Sequence, residues 1–215
     1  MADSMLTLSL LETRILGTLI EKQRTVPDTY PLSLNTLITG CNQKTSRNPV
    51  IEADEAEVVL AIDALKEWGL VCEVSGSRVV RFAHDLEKVL AVPKQASALL
   101  AVLMLRGAQT AGELRLNCER LHKFADISAV EAFLDELACR SEGALVVELP
   151  RLPGARENRW MHLLSGEIAF DAPLARPSTG AASSSQEIEQ LRLRVSALEA
   201  DVAELRAMLM PLAHP

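Results

Sequence analysis

The sequence predicts a mainly α (α+β) fold: two successive modules of three helices and a β-hairpin, then a linker and a C-terminal coiled-coil helix. Three observations carry that expectation. Capping signatures open one helix after another, the order helix, helix, helix, hairpin occurs twice, and residues 188–212 hold an unbroken apolar heptad. Composition agrees. Apolar residues make up 48% of the chain but aromatics only 3%, which suits Leu, Val, Ile and Ala packed through helices better than a β-sandwich.

The elements follow in order. Ser9 with Glu12 forms a capping box, and Leu11, Ile15, Leu19 and Ile20 then share one stripe of a first helix. Val26-Pro27-Asp28 and Tyr30-Pro31 break that pattern into a loop. A short helix is expected over Ser33 to Cys41, with Leu34, Leu37 and Ile38 turned inward, followed by a polar loop over Asn42 to Pro49. Asp54 caps a third helix with Glu57 at its third position; Val58, Ile62 and Leu65 line one face, and Gly69 stops it. Leu70 to Val74 and Arg78 to Phe82, joined by Ser75-Gly76-Ser77, read as a hairpin.

The second round begins with an apolar helix from Gln95 to Arg106, closed by Gly107. Thr110 with Glu113 opens a helix through Leu121, and Ser128 with Glu131 caps the next, which carries Val130, Phe133, Leu134 and Leu137. Leu145 to Leu149 and Arg159 to Leu164 form a second hairpin around a loop holding Pro150, Pro153 and Gly154. Leu37 and Cys41 match Leu114 and Cys118 in spacing, and Val58, Ile62, Asp63 and Leu65 match Val130, Leu134, Asp135 and Leu137. One module used twice would produce that match, and so would the common packing needs of short helices. The expected divisions are 1–88 and 89–170 for the two modules, 171–185 for an Ala-, Pro-, Ser- and Gly-rich linker, and 186–212 for the final helix.

That helix specifies a partner. Ile188, Val195, Val202 and Leu209 fall at a, with Leu191, Leu198, Leu205 and Leu212 at d. β-branched a residues with Leu at d favour two parallel strands. In a parallel pair Glu187 faces Arg192, Arg194 faces Glu199, and Asp201 faces Arg206, whereas an antiparallel pair sets like charges together. A parallel homodimer is the expectation; a solitary amphipathic helix docked on its own domain is the alternative.

Three helices and a hairpin make the winged-helix layout, a variant of helix-turn-helix. The run Thr25-Val26-Pro27-Asp28-Thr29-Tyr30-Pro31-Leu32-Ser33-Leu34-Asn35, continued by Cys41-Asn42-Gln43-Lys44 and Arg47-Asn48-Pro49-Val50, resembles the YceH-like family of uncharacterised bacterial proteins. The resemblance extends over roughly residues 5–170. It implies two tandem winged-helix domains in one body and brings no catalytic residues with it.

Other classes find little support. A net charge of −7 is not that of a protein coating nucleic acid by bulk electrostatics. No basic segment precedes an apolar stretch at the N-terminus, and the longest apolar run, Ala96 to Leu105, is too short to span a bilayer, so a cytoplasmic protein away from membranes is expected. Cys41, Cys72, Cys118 and Cys139 are scattered and read as buried free thiols; His84, His122, His162 and His214 are equally dispersed, so neither metal nor cofactor is expected. No phosphate loop, paired catalytic carboxylates or nucleophile elbow is present, and no enzyme is expected.

DNA binding meets an electrostatic objection. The third helix carries Asp54, Glu55, Glu57, Asp63 and Glu67 against Lys66, and its counterpart carries Glu131, Asp135 and Glu136, which phosphates would repel. The candidate nucleic-acid contacts lie on loops instead: Lys44 and Arg47 ahead of the third helix, Arg78 and Arg81 in the first wing, Arg151, Arg156 and Arg159 around the second. Two readings follow. The expected one is a DNA-associated or regulatory protein acting through its wings; the alternative is a protein-interaction scaffold that does not bind DNA.

Overall fold

The computed structural model describes residues 6–74, 79–151 and 154–166. The chain divides into two units, Met1–Ile168 and Ala169–Pro215, and every described residue lies in the first. The expected linker at 171–185, the heptad helix at 186–212 with its dimerisation residues, the Ser75-Gly76-Ser77 turn and Arg78 fall outside the described residues.

The first helix, α1 (Leu10–Thr25), starts at the expected capping box: Glu12 N donates to Ser9 Oγ at 3.2 Å, and Ser9 N to Glu12 Oε2 at 2.7 Å. A single 3-10 turn (Pro27–Thr29) and a short strand β1 (Leu32–Ser33) lead into α2 (Leu34–Cys41), capped by Ser33. Helix α3 (Glu55–Glu67) opens on the Asp54–Glu57 capping box. It closes at Gly69, whose φ of +69° suits glycine, with Leu70 N donating back to Leu65 O at 2.9 Å. Strands β2 (Val71–Val74) and β3 (Arg81–His84) complete the first round.

After one turn of helix, α4 (Leu86–Val89), come α5 (Lys94–Arg106), α6 (Ala111–Cys118), α7 (Ile127–Ala138), β4 (Val146–Leu149) and β5 (Arg159–His162). The described residues thus form a mixed α and β structure of seven helices and two small antiparallel sheets. One sheet has the order β1-β3-β2, and the other pairs β4 with β5. The registers correspond. Val71 lies opposite His84 and Val74 opposite Arg81, as Val146 lies opposite His162 and Leu149 opposite Arg159. Where β1 pairs Leu32 with Phe82, the second half pairs Gln109 with Trp160 through two backbone hydrogen bonds of 3.1 and 2.7 Å.

Several boundaries depart from expectation. Among the described residues the first return strand begins at Arg81, so the expected strand residues Val79 and Val80 lie exposed ahead of it. Helix α6 stops at Cys118 rather than Leu121. Helix α7 is capped by Asp126, whose carboxylate accepts from Ala129 N at 2.8 Å, so Ser128 lies inside the helix instead of starting it. The cysteines are not uniformly buried: Cys41 and Cys118 are, Cys72 is half-buried and Cys139 exposed.

Helices α1 and α5 are the buried pair. Every residue from Thr13 to Ile20 and from Ala96 to Leu105 is buried, the pattern of helices surrounded by protein. They meet at Gly17, where a Cβ would stand 2.8 Å from Leu105 Cγ and 3.3 Å from the Ala101 carbonyl oxygen. A glycine inside a helix costs about 1 kcal/mol against alanine; here the close approach requires it. One continuous core joins Ile15, Leu19, Ile62 and Leu65 with Leu99, Leu103, Leu134 and Trp160.

Candidate interaction surface

The sequence-predicted cations have unequal fates. Lys44 is exposed on the loop between α2 and α3. Arg47 on the same loop is buried. Its Nη2 donates to Glu21 Oε2 at 2.6 Å and to Gln43 Oε1 at 2.8 Å, and its Nε to Gly40 O at 3.2 Å. Burial pushes the Glu21 carboxyl up, but the Arg47 hydrogen bonds and charge outweigh that and hold it below the ordinary carboxylate value. Arg14, fully enclosed, donates to the carbonyls of Cys41 (3.1 Å) and Pro49 (2.6 Å). The two arginines therefore stitch the α2–α3 loop to α1, and Arg47 presents no charge to solvent. Arg81 is half-buried and donates to Pro31 O at 2.8 Å and Thr29 O at 3.3 Å.

The second hairpin keeps its cations outside. Arg151 and Arg156 are exposed, with Arg151 Nη1 donating to Arg156 O at 3.4 Å, and Arg159 is half-buried at the start of β5. Arg151 and Arg156 line an open groove of about 380 Å³ that also holds Glu131, Glu148 and Glu157. The positive patch is thus small and interleaved with carboxylates.

Helix α3 offers a different surface. Val58, Ala61, Ile62 and Leu65 face the core. On the outer side Leu60 is 70% exposed and Val59 38%, beside exposed Ala56. Exposed acids bracket this apolar stripe: Glu55 and Glu57 before it, Asp63 and Glu67 after it. The one cation, Lys66, is engaged on both sides, its Nζ 3.2 Å from Asp63 Oδ1 and 2.5 Å from Glu73 Oε1. The Glu73 hydrogen bond, followed by that of Asp63, raises the Lys66 pKa. Sequence reasoning flagged the acids but missed Val59 and Leu60. The signal was available: Val58 to Ile62 is five apolar residues in a row, and a helix packed on one face cannot bury all of them.

The corresponding face of α7 is polar, with exposed Glu131, Ala132, Asp135 and Glu136 over buried Val130, Leu134 and Leu137. Burial pushes the thiols up, Cys41 to about 11 and Cys118 to about 12, and brings His84 and His162 down to about 4. Among the described residues no group of three or more His, Cys, Asp or Glu could hold a metal ion, and no helix is long and apolar enough to cross a membrane.

Residues 8–155 match the family described as "Protein of unknown function, DUF480". A UPF0502 protein of Dechloromonas aromatica is 74% identical over 212 residues, covering 98% of each chain. A UPF0502 protein of Burkholderia thailandensis is 59% identical over 95% of this chain and 87% of its own. One from Cupriavidus necator is 61% identical over 92% and 82%. With a family match over most of its length and relatives this similar, the chain belongs to the DUF480 family of bacterial UPF0502 proteins, in keeping with the YceH-like resemblance of its Thr25–Val50 segment.

Proposed function

We propose that this chain is a non-enzymatic, cytoplasmic tandem winged-helix protein that works as an interaction scaffold. It dimerises through a parallel coiled coil at residues 186–212, and α3 of its first module docks another protein. The winged-helix reading is supported by the repeated order of three helices and a hairpin, and by β1. A short strand between the first and second helices pairs with the returning strand of the hairpin, and Gln109 does the same against Trp160. The dimer rests on the heptad seam and its complementary flanking charges.

One observation carries the scaffold reading. The helix that would enter a major groove presents Val59 and Leu60 among carboxylates, its only cation engaged by Asp63 and Glu73. Such a face repels phosphate and favours a protein. A photo-crosslinking residue in place of Leu60, in the full-length chain inside a host bacterium, tests this. Adducts destroyed by protease and untouched by nuclease are expected. Nuclease-sensitive adducts, or none, would defeat it.

Arg151, Arg156 and Arg159 favour a second reading, DNA association through the second wing. A crosslinker at Arg156 should then trap DNA, and affinity for genomic fragments should fall steeply with salt.

A further inference from the structure

We infer that the partner of α3 is a basic amphipathic helix of another protein, its apolar stripe against Val59 and Leu60 and its lysines or arginines against the acids on either side. This rests on the docking reading above and adds what the partner must look like.

Ala56, Val59 and Leu60 span little more than one helical turn, so the apolar stripe matches a single helix laid on α3 rather than a broad globular interface. Ala56 is small enough to let a second backbone come close, and Leu60 at 70% exposure projects as the anchor. Charge points the same way. Glu55 and Glu57 at the start of the helix and Glu67 at its end are all exposed, and Lys66 is held by Asp63 and Glu73. A segment carrying cations on both flanks of its apolar residues complements that arrangement.

Charge also disposes of two occupants closer to hand. A second copy of α3 would set these acids against themselves in an isologous contact. The chain's own C-terminal segment carries Glu187, Glu189, Glu199, Asp201 and Glu204 against only Arg192, Arg194 and Arg206, so it is acidic too. The occupant with the right sign comes from elsewhere.

The test uses the full-length chain and two fluorescein-labelled peptides of about 18 residues, the length of a common globular helix. Both carry leucines at helical spacing; lysines flank the stripe in one and glutamates in the other. Fluorescence anisotropy should report binding of the lysine peptide, weakening as salt is raised, and none of the glutamate peptide. The double substitution Val59→Glu with Leu60→Ala should weaken binding about tenfold or more, as loss of a central anchor does. Glu131→Ala with Asp135→Ala on α7 should leave it unchanged. Equal binding of both peptides, equal losses from the α3 and α7 changes, or no binding at all would overturn the inference. Protein adducts at position 60 alongside a failed lysine peptide would refute the partner's chemistry alone; no protein adduct there would refute the docking reading itself.

Discussion

In the first half of the molecule Val58, Ile62 and Leu65 of α3 pack inward beside Cys41 at the end of α2; in the second, Val130, Leu134 and Leu137 of α7 do so beside Cys118 at the end of α6. The correspondence continues through the hairpins. Arg81-Phe82-Ala83-His84 and Arg159-Trp160-Met161-His162 share a burial pattern, with aromatic and histidine turned inward in both. The exteriors part company. Where α3 exposes Val59 and Leu60, the same turn of α7 exposes Glu131 and Ala132. The α2–α3 loop is held by two enclosed arginines, Arg14 and Arg47, while the connection between α6 and α7 is short. Packing holds the two interiors to one solution, so the halves differ on the surface.

The twin histidines offer the largest effect and test whether the interiors are alike. Burial lowers both His84 and His162 to about 4, against 6.5 for an exposed imidazole. Between those values the unfolded chain binds protons that the folded chain does not. Stability is therefore present above pH 6.5 and lost as pH falls towards 4, by up to about 1.4 kcal/mol per pH unit for each histidine. Urea unfolding at several pH values should show His84→Gln and His162→Gln each removing a comparable part of that slope. If only one does, the two hairpins are not equivalent inside.

At neutral pH the heaviest single loss should come from Arg47→Ala, which tests where the halves differ. It removes both short hydrogen bonds to the Glu21 carboxylate, leaving it Lys22 at 3.5 Å, and strips the Gly40 carbonyl of its Arg47 donors. Breaking a buried pair from one side costs about 3–5 kcal/mol, and the low end applies where a second cation remains. A change under about 1 kcal/mol in chemical denaturation would mean that Arg47 sits in solvent. Gly17→Ala comes next. Its methyl would press on Leu105 where α1 meets α5, and overpacking of this kind costs about 1–3 kcal/mol. The same experiment should show a single unfolding transition shifted as a whole, because the shared core runs through that contact. Two separated transitions would show that the halves unfold independently.

What could be read from the sequence follows from the range of the interactions. The Ser9–Glu12, Asp54–Glu57 and Thr110–Glu113 boxes close within one turn, and the helices begin where those residues put them. Asp126 was obscured by the similar signature of Ser128 and Glu131, and the β-branched Val79 and Val80 extended a strand that starts after them. Strand β1 is two residues long and exists only through its pairing with Phe82 and Arg81, so no local pattern announces it. Arg47 looked like a loop cation because its partner, Glu21, lies a whole helix away in the chain. The candidate surface was half legible for the same reason: carboxylates declare a solvent face by themselves, whereas Val59 and Leu60 are known to be outside only once the inner face of α3 is assigned.

The smallest effect on stability bears most on function. Val59→Glu with Leu60→Ala gives α3 the outer residues of α7, a face this fold already accommodates. Neither side chain contributes much to the core, and alanine is at least as good a helix former as leucine. Substitutions away from packed features usually stay within about 0.5 kcal/mol, so urea unfolding of this variant should match that of the natural chain. Its association with a basic helix should nevertheless weaken about tenfold or more. Stability kept while binding weakens would separate what α3 does for the fold from what it does for a partner. A marked fall in stability would instead place Val59 and Leu60 inside a packed interface of the chain itself, and the difference between α3 and α7 would become one of assembly rather than recognition.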